Sequence, residues 1–217
     1  MKNFYKITVV IALIAIIVFS GTACSKKEGG AASVGRASPA TDFSYNLTND
    51  SMGIVITKYT GNDNAVVIPS IIEDMPVLEI GMAAFAGAGS NSAPNNRDAI
   101  TSVVVLSGVE IIGGGAFERM DNLVRVTLPD SIKVIGNDAF GGNPKLATIN
   151  LPSNTDLVIG SRAFWSAREL TDLIIPDSLS NIKYGHVSMV NQGQIRVSDD
   201  LRRAFQGCQK LPLKTRQ

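Results

Sequence analysis

The 217-residue chain has few residues suited to a reactive centre: two cysteines, one histidine (His186) and one tryptophan. A zinc site needs clustered Cys or His, and a lone His with a lone thiol is too few. No Gly-x-Ser-x-Gly occurs, so the turn that presents a serine nucleophile is missing and His186 has no partner of that kind. The three glycines of "IIGGGAF", Ile111 to Phe117, are not followed by Lys-Ser/Thr, which excludes a phosphate loop. Charged residues make up only 18% of the chain, the net charge is +1 and no basic tract is present, so nothing points to nucleic acid. No cofactor is expected.

Long apolar runs are scarce as well. One stands out, Ile7 to Phe19, thirteen residues broken only by Thr8. It is short for a membrane-spanning helix, which needs about 20 residues. Lys2 and Lys6 precede it and the small residues "SGTA" follow, the three-part layout of an export signal over residues 1–23. The segment "GTAC" resembles the lipobox of bacterial lipoproteins, with Gly21 where Leu is usual. That resemblance implies that Cys24 becomes the mature N-terminus and carries lipid. Cys208 then has no partner within the chain, so stability must come from packing. Residues 24–41 are small, polar and aperiodic, and read as a flexible tether spanning on the order of 20–25 Å.

The remainder, residues 42–217, repeats itself. "EIGMAAF", "IIGGGAF", "VIGNDAF" and "VIGSRAF" end at Phe85, Phe117, Phe140 and Phe164, and Phe205 ends a looser fifth copy. Two of the gaps, 23 and 24 residues, set the period. Gly stands four residues before the first four Phe, at Gly81, Gly113, Gly136 and Gly160. Each unit then runs through "LxxVxLP", as in Leu123, Val126, Leu128 and Pro129. A period of 20–29 residues is the range of leucine-rich repeats. "VxL" has the period-2 spacing of a short strand, and Pro129 ends it because it cannot donate to a ladder. The repeat glycine is expected to adopt a backbone angle costly to other residues. Each Phe is expected to fill the interior of a coil that buries its apolar stripe only when its neighbours stack on it.

The composite pattern LxxVxLPxxIxxIGxxAFxxxxxL resembles the BspA-like leucine-rich repeats of bacterial surface proteins, and Tyr59 to Phe85 resembles how those domains open. The resemblance implies a leucine-rich-repeat solenoid, a right-handed coil of short β-strands and short helical turns. It also implies an exposed envelope role in adhesion or binding. The slot three residues after Phe, often Cys in that family, holds Ala88, Met120, Asn143, Ala167 and Cys208.

The chain therefore reads as a lipid-anchored envelope protein that binds a protein or surface polymer without catalysis. The candidate face is the solvent side of the strands: Val104, Thr127, Asn150 and Ile174, with Arg125, Thr148 and Asp172 beside them. Two departures from the period, one between Phe85 and Ile100 that includes "GSNSAPNN" and one over residues 178–203, are further candidate loops. The alternatives are a periplasmic assembly module or an enzyme with a site in the 178–203 insertion.

Overall fold

A computed structural model describes residues 36–87, 96–153, 157–174, 183–185, 188–190, 194–196 and 204–209. All of them lie in one compact unit, Val34–Gln217. The export signal, Cys24 and His186 lie outside the described residues.

Each coil has three sides. The "VxL" segments pair in parallel as a five-stranded sheet: β3 (Ala65–Ile68), β6 (Ser102–Val105), β8 (Arg125–Thr127), β10 (Thr148–Asn150) and β12 (Asp172–Ile174). The "IG" segments form the second sheet. It contains β2 (Ile54–Tyr59), β5 (Met75–Ile80), β7 (Ile111–Ile112), β9 (Val134–Ile135), β11 (Val158–Gly160) and β13 (Lys183–Gly185), all parallel. Two antiparallel additions make it eight-stranded: β1 (Phe43–Leu47) on β2, and β4 (Ile71–Ile72) on β5. The third side is a column of tight turns at the "AF" motifs, where short helical turns were expected. There the N–H of each Phe donates to an alanine carbonyl of the next coil: Phe85 to Ala116, Phe117 to Ala139, Phe140 to Ala163 and Phe164 to Ala204. These bonds between coils add to those within each turn, so a single coil would leave backbone polar groups unsatisfied.

The interior is a stack of rings. Phe85, Phe117, Phe140, Phe164 and Phe205 follow one another with centroids 4.8–5.6 Å apart, and the four innermost are fully buried. Two rings that carry no "AF" motif extend the row. Tyr59 stacks on Phe85 at 5.2 Å, its N–H donating to Ala84 O, and Phe43 tilts against both. Ile80, Ile112, Ile135 and Ile159 from the second sheet and Val103, Val126 and Ile149 from the first complete the core.

The repeat glycines sit where they do for a reason other than the expected backbone angle. Gly81, Gly113, Gly136 and Gly160 have no positive φ. A Cβ on Gly136 would lie 2.6 Å from Gly114 N, and one on Gly160 2.5 Å from Asn137 N, so close approach of successive coils excludes a side chain. The left-handed angles fall two residues before each Phe, at Ala83, Gly115, Asp138 and Arg162, and two after, at Arg119, Gly142, Ser166 and Gly207. Five of these eight are not glycine, and each costs about 1–2 kcal/mol. The stacked hydrogen bonds hold them there.

The two departures from the period resolve differently. The coil continues through β13, with Gly185 beside Gly160 and Tyr184 where Ile159 stands in the coil before. The second insertion therefore begins after Gly185 rather than at residue 178. Within it β14 (Ser188–Val190) and β15 (Gln194–Arg196) form an antiparallel hairpin. The first insertion delivers Arg97, which is buried to 3% exposure. Its guanidinium donates to Tyr59 O (3.3 Å) and Ala86 O (3.1 Å).

The packed chain also starts before residue 42. Ser38 is buried, donates its N–H to Val67 O and accepts from Val67 N–H, so it closes the free edge of β3.

Candidate functional site

The five-stranded sheet turns alternate residues outward, and pairing puts them in two rows. One row is Val67, Val104, Thr127, Asn150 and Ile174; the other is Ala65, Ser102, Arg125, Thr148 and Asp172. The structure thus brings Val104, Thr127, Asn150 and Ile174 together on successive strands, with Arg125, Thr148 and Asp172 alongside. Arg125 and Thr127 are exposed, whereas Val104, Thr148 and Asn150 are half-buried. For Asp172 and Ile174 the backbone register is what is described.

The members are not equally free. Asn150 spends its amide on the neighbouring coil: Nδ2 donates to Leu128 O (2.8 Å) and Oδ1 accepts from Leu128 N (2.9 Å). This pair continues the ladder one residue past the end of β8, where Pro129 offers no N–H. Among the described residues of the face, Arg125 and Thr127 are the exposed pair with polar groups open to solvent at its centre, a guanidinium with its planar fork of donors and a hydroxyl that both donates and accepts. Such a surface can hydrogen-bond a chain lying across the strands. Among the described residues no group of three or more His, Cys, Asp or Glu is placed to hold a metal ion.

The slot three residues after Phe has a function that the pattern alone left unread. In this solenoid the slot supplies side-chain donors to carbonyls of the ring residues. Asn143, fully buried, donates Nδ2 to Phe117 O (2.9 Å) and Phe140 O (3.1 Å) and accepts Met120 N–H at 2.7 Å. Cys208 donates its thiol to Phe164 O at 3.1 Å. Burial pushes that thiol's pKa up to about 11, so it is a structural donor and not a nucleophile. Tyr59 O belongs to the same series, and Arg97 serves it. The signal was present in the sequence as one polar side chain, Asn143, in an otherwise apolar column.

With the fold in view, the class is a leucine-rich-repeat solenoid. The chain belongs to the BspA type leucine-rich repeat family, whose model fits it in six copies over residues 90–212. Among solved structures it is similar to the T. pallidum leucine-rich repeat protein TpLRR, with 36% identity over 69% of this chain and a TM-score of 0.61. It is also similar to a leucine-rich repeat protein from Bacteroides ovatus (27% identity, 67% of this chain, TM-score 0.47). A third likeness is to a leucine-rich cell surface protein from Faecalibacterium prausnitzii (25%, 70%, 0.49). The chain spans 64%, 40% and 42% of the lengths of these three chains. Curated proteins show no match. Proteins of this family are typically bacterial surface proteins, and their repeat domains generally serve as scaffolds for protein interaction.

Proposed function

We propose that the chain is a lipid-anchored envelope protein whose repeat domain binds an extended segment of a protein or surface polymer along the outer face of the five-stranded sheet. It acts by adhesion or scaffolding and not by catalysis. The observation that carries this reading is the pair of registered rows, with Arg125 and Thr127 open to solvent over a rigid core. A face of this kind, held flat by parallel pairing, meets a ligand with little ordering cost on its own side. The anchor rests on the layout of residues 1–24.

A photo-crosslinking residue at Thr127 in intact cells tests the face. A discrete adduct that is lost in Arg125→Glu supports it; labelling no stronger than at the exposed Lys133 sinks it. Cys24→Ala should release the protein from the membrane fraction, and unchanged association refutes lipidation. Protease added to intact cells separates an outward-facing domain, which is cleaved, from a periplasmic assembly module, which is protected.

A further inference from the structure

The outer face of the eight-stranded sheet carries its own registered row: Val55, Glu79, Ile111, Val134 and Val158 on β2, β5, β7, β9 and β11. Four of the five are aliphatic. Val134 and Val158, with Ile111 packed against them, form an apolar seam separate from the main core. Glu79 interrupts the row. Its carboxylate is half-buried between Val55 and Ile111, and among the described residues no donor or cation reaches it. Burial alone raises its pKa. Two coils away, Lys133 is held by Glu110 at 2.8 Å.

Beside Glu79 opens a groove of about 270 Å³. Met82, Ile111 and Val134 line it, Gly114 leaves its floor bare, and Asn137 borders it two coils from Glu79. Met82 is 79% exposed and free to re-pack around an occupant. The volume falls just below the roughly 300–1,000 Å³ of small-molecule sites, which suits one side chain of a larger partner. A half-buried carboxylate without a partner is disfavoured in its charged form, and a cation that shares its apolar surroundings offsets part of that cost.

The geometry points to this groove as a socket for one lysine side chain of a protein partner, its alkyl stem along Ile111 and Val134 and its ammonium on Glu79. Lysine fits the donor set: a compact point charge meets a single carboxylate, and its stem lies naturally along aliphatic surface. The socket lies on the other sheet from the face proposed above, and it depends neither on that face nor on the lipid anchor.

The test uses the full chain in zwitterionic detergent, with the Met82, Ile111 and Val134 methyl groups followed by NMR and acetyl-Lys-Lys-Lys-amide as probe. The peptide should shift these methyls, and its ε-acetylated form should not. Glu79→Gln should weaken binding by about tenfold or more, the scale of one charge-assisted hydrogen bond. Gly114→Leu should block binding while leaving the melting temperature close to that of the parent. A Cβ at Gly114 meets only Asn137 O, at 3.5 Å, so the fold has room for the change. The proposal is overturned by no shift, by equal shifts from the acetylated peptide, by shifts indifferent to both substitutions, or by methyl positions that depend on protein concentration without peptide. The last would mean that a second copy fills the groove. Methyl shifts caused by Lys26→Gln with Lys27→Gln, without peptide, would show the chain's own lysines there and would equally overturn it.

Discussion

The two sheets share one core and one period, yet their outer faces are unlike. On the five-stranded sheet the outward rows hold Arg125, Thr127, Thr148 and Asn150, and the exposed ones can change without touching the interior. On the eight-stranded sheet the outward row is Val55, Ile111, Val134 and Val158, with one carboxylate among them, and Val134 is only 4% exposed. At Gly113, Gly136 and Gly160 the backbone lies against that of the neighbouring coil, and beside them Val134 and Val158 bury one another on the outside. The eight-stranded sheet thus adds an outer apolar seam of Ile111, Val134 and Val158 to its hydrogen bonds.

The largest effect should come where both faces depend on the same group. Phe140→Ala removes one ring from the row and should cost about 3–5 kcal/mol, read as a lowered denaturation midpoint in urea. A loss of under 1 kcal/mol would mean that the rings do not support one another.

Asn143→Leu leaves Met120 N–H and Phe117 O without their partner and should cost about 3 kcal/mol. Asn143→Cys should cost clearly less, because Cys208 already fills the equivalent slot with a thiol donor. Equal losses in the two variants would remove the hydrogen-bonding account of that column.

The comparison itself is sharpened by a matched pair. Val134→Ala on the eight-stranded sheet should cost about 1.5 kcal/mol of lost burial. Thr148→Ala on the five-stranded sheet should stay within about 0.5 kcal/mol of the parent. If the two come out alike, the outer seam contributes nothing.

The smallest effect concerns Glu79. Its folded-state pKa is raised by burial, so the native fold disfavours the ionised form. The penalty is absent below the ordinary carboxylate range and sets in as pH rises through the unfolded and then the folded pKa. Glu79→Gln should therefore raise the melting temperature at neutral pH and leave it unchanged near pH 4. A gain that is the same at both pH values would show that charge is not the cause.

Much of this architecture was legible because the repeat writes its contacts in a fixed order. The "AF" rings, the strand ending at Pro129 and the register of Thr127 with Asn150 all follow from a period of 23–24 residues. Tyr59 was missed as a ring of the row because no Ala-Phe marks it; its place is set by the pairing of β2 with β5, which the repeat does not encode. The start of the second insertion was misplaced because Tyr184 stands where isoleucine is usual and hides the "IG" strand. Ser38 looks like tether in the sequence because nothing local shows that it caps β3, and the residue that fixes it, Val67, is twenty-nine residues away. Arg97 carried no motif at all. Its place is explained by the two carbonyls its guanidinium meets, Tyr59 O and Ala86 O.

The hairpin of β14 and β15 stands between Gly185 and Ala204, yet Phe164 N–H still reaches Ala204 O at 2.8 Å and Phe205 still stacks on Phe164 at 5.1 Å. The corner after the "IG" strand is thus a splice point: foreign sequence can enter there while the shelves above and below keep their spacing. A lineage could trade one loop for another at this corner, or an engineer could graft a recognition hairpin into it, without redesigning the body that carries it.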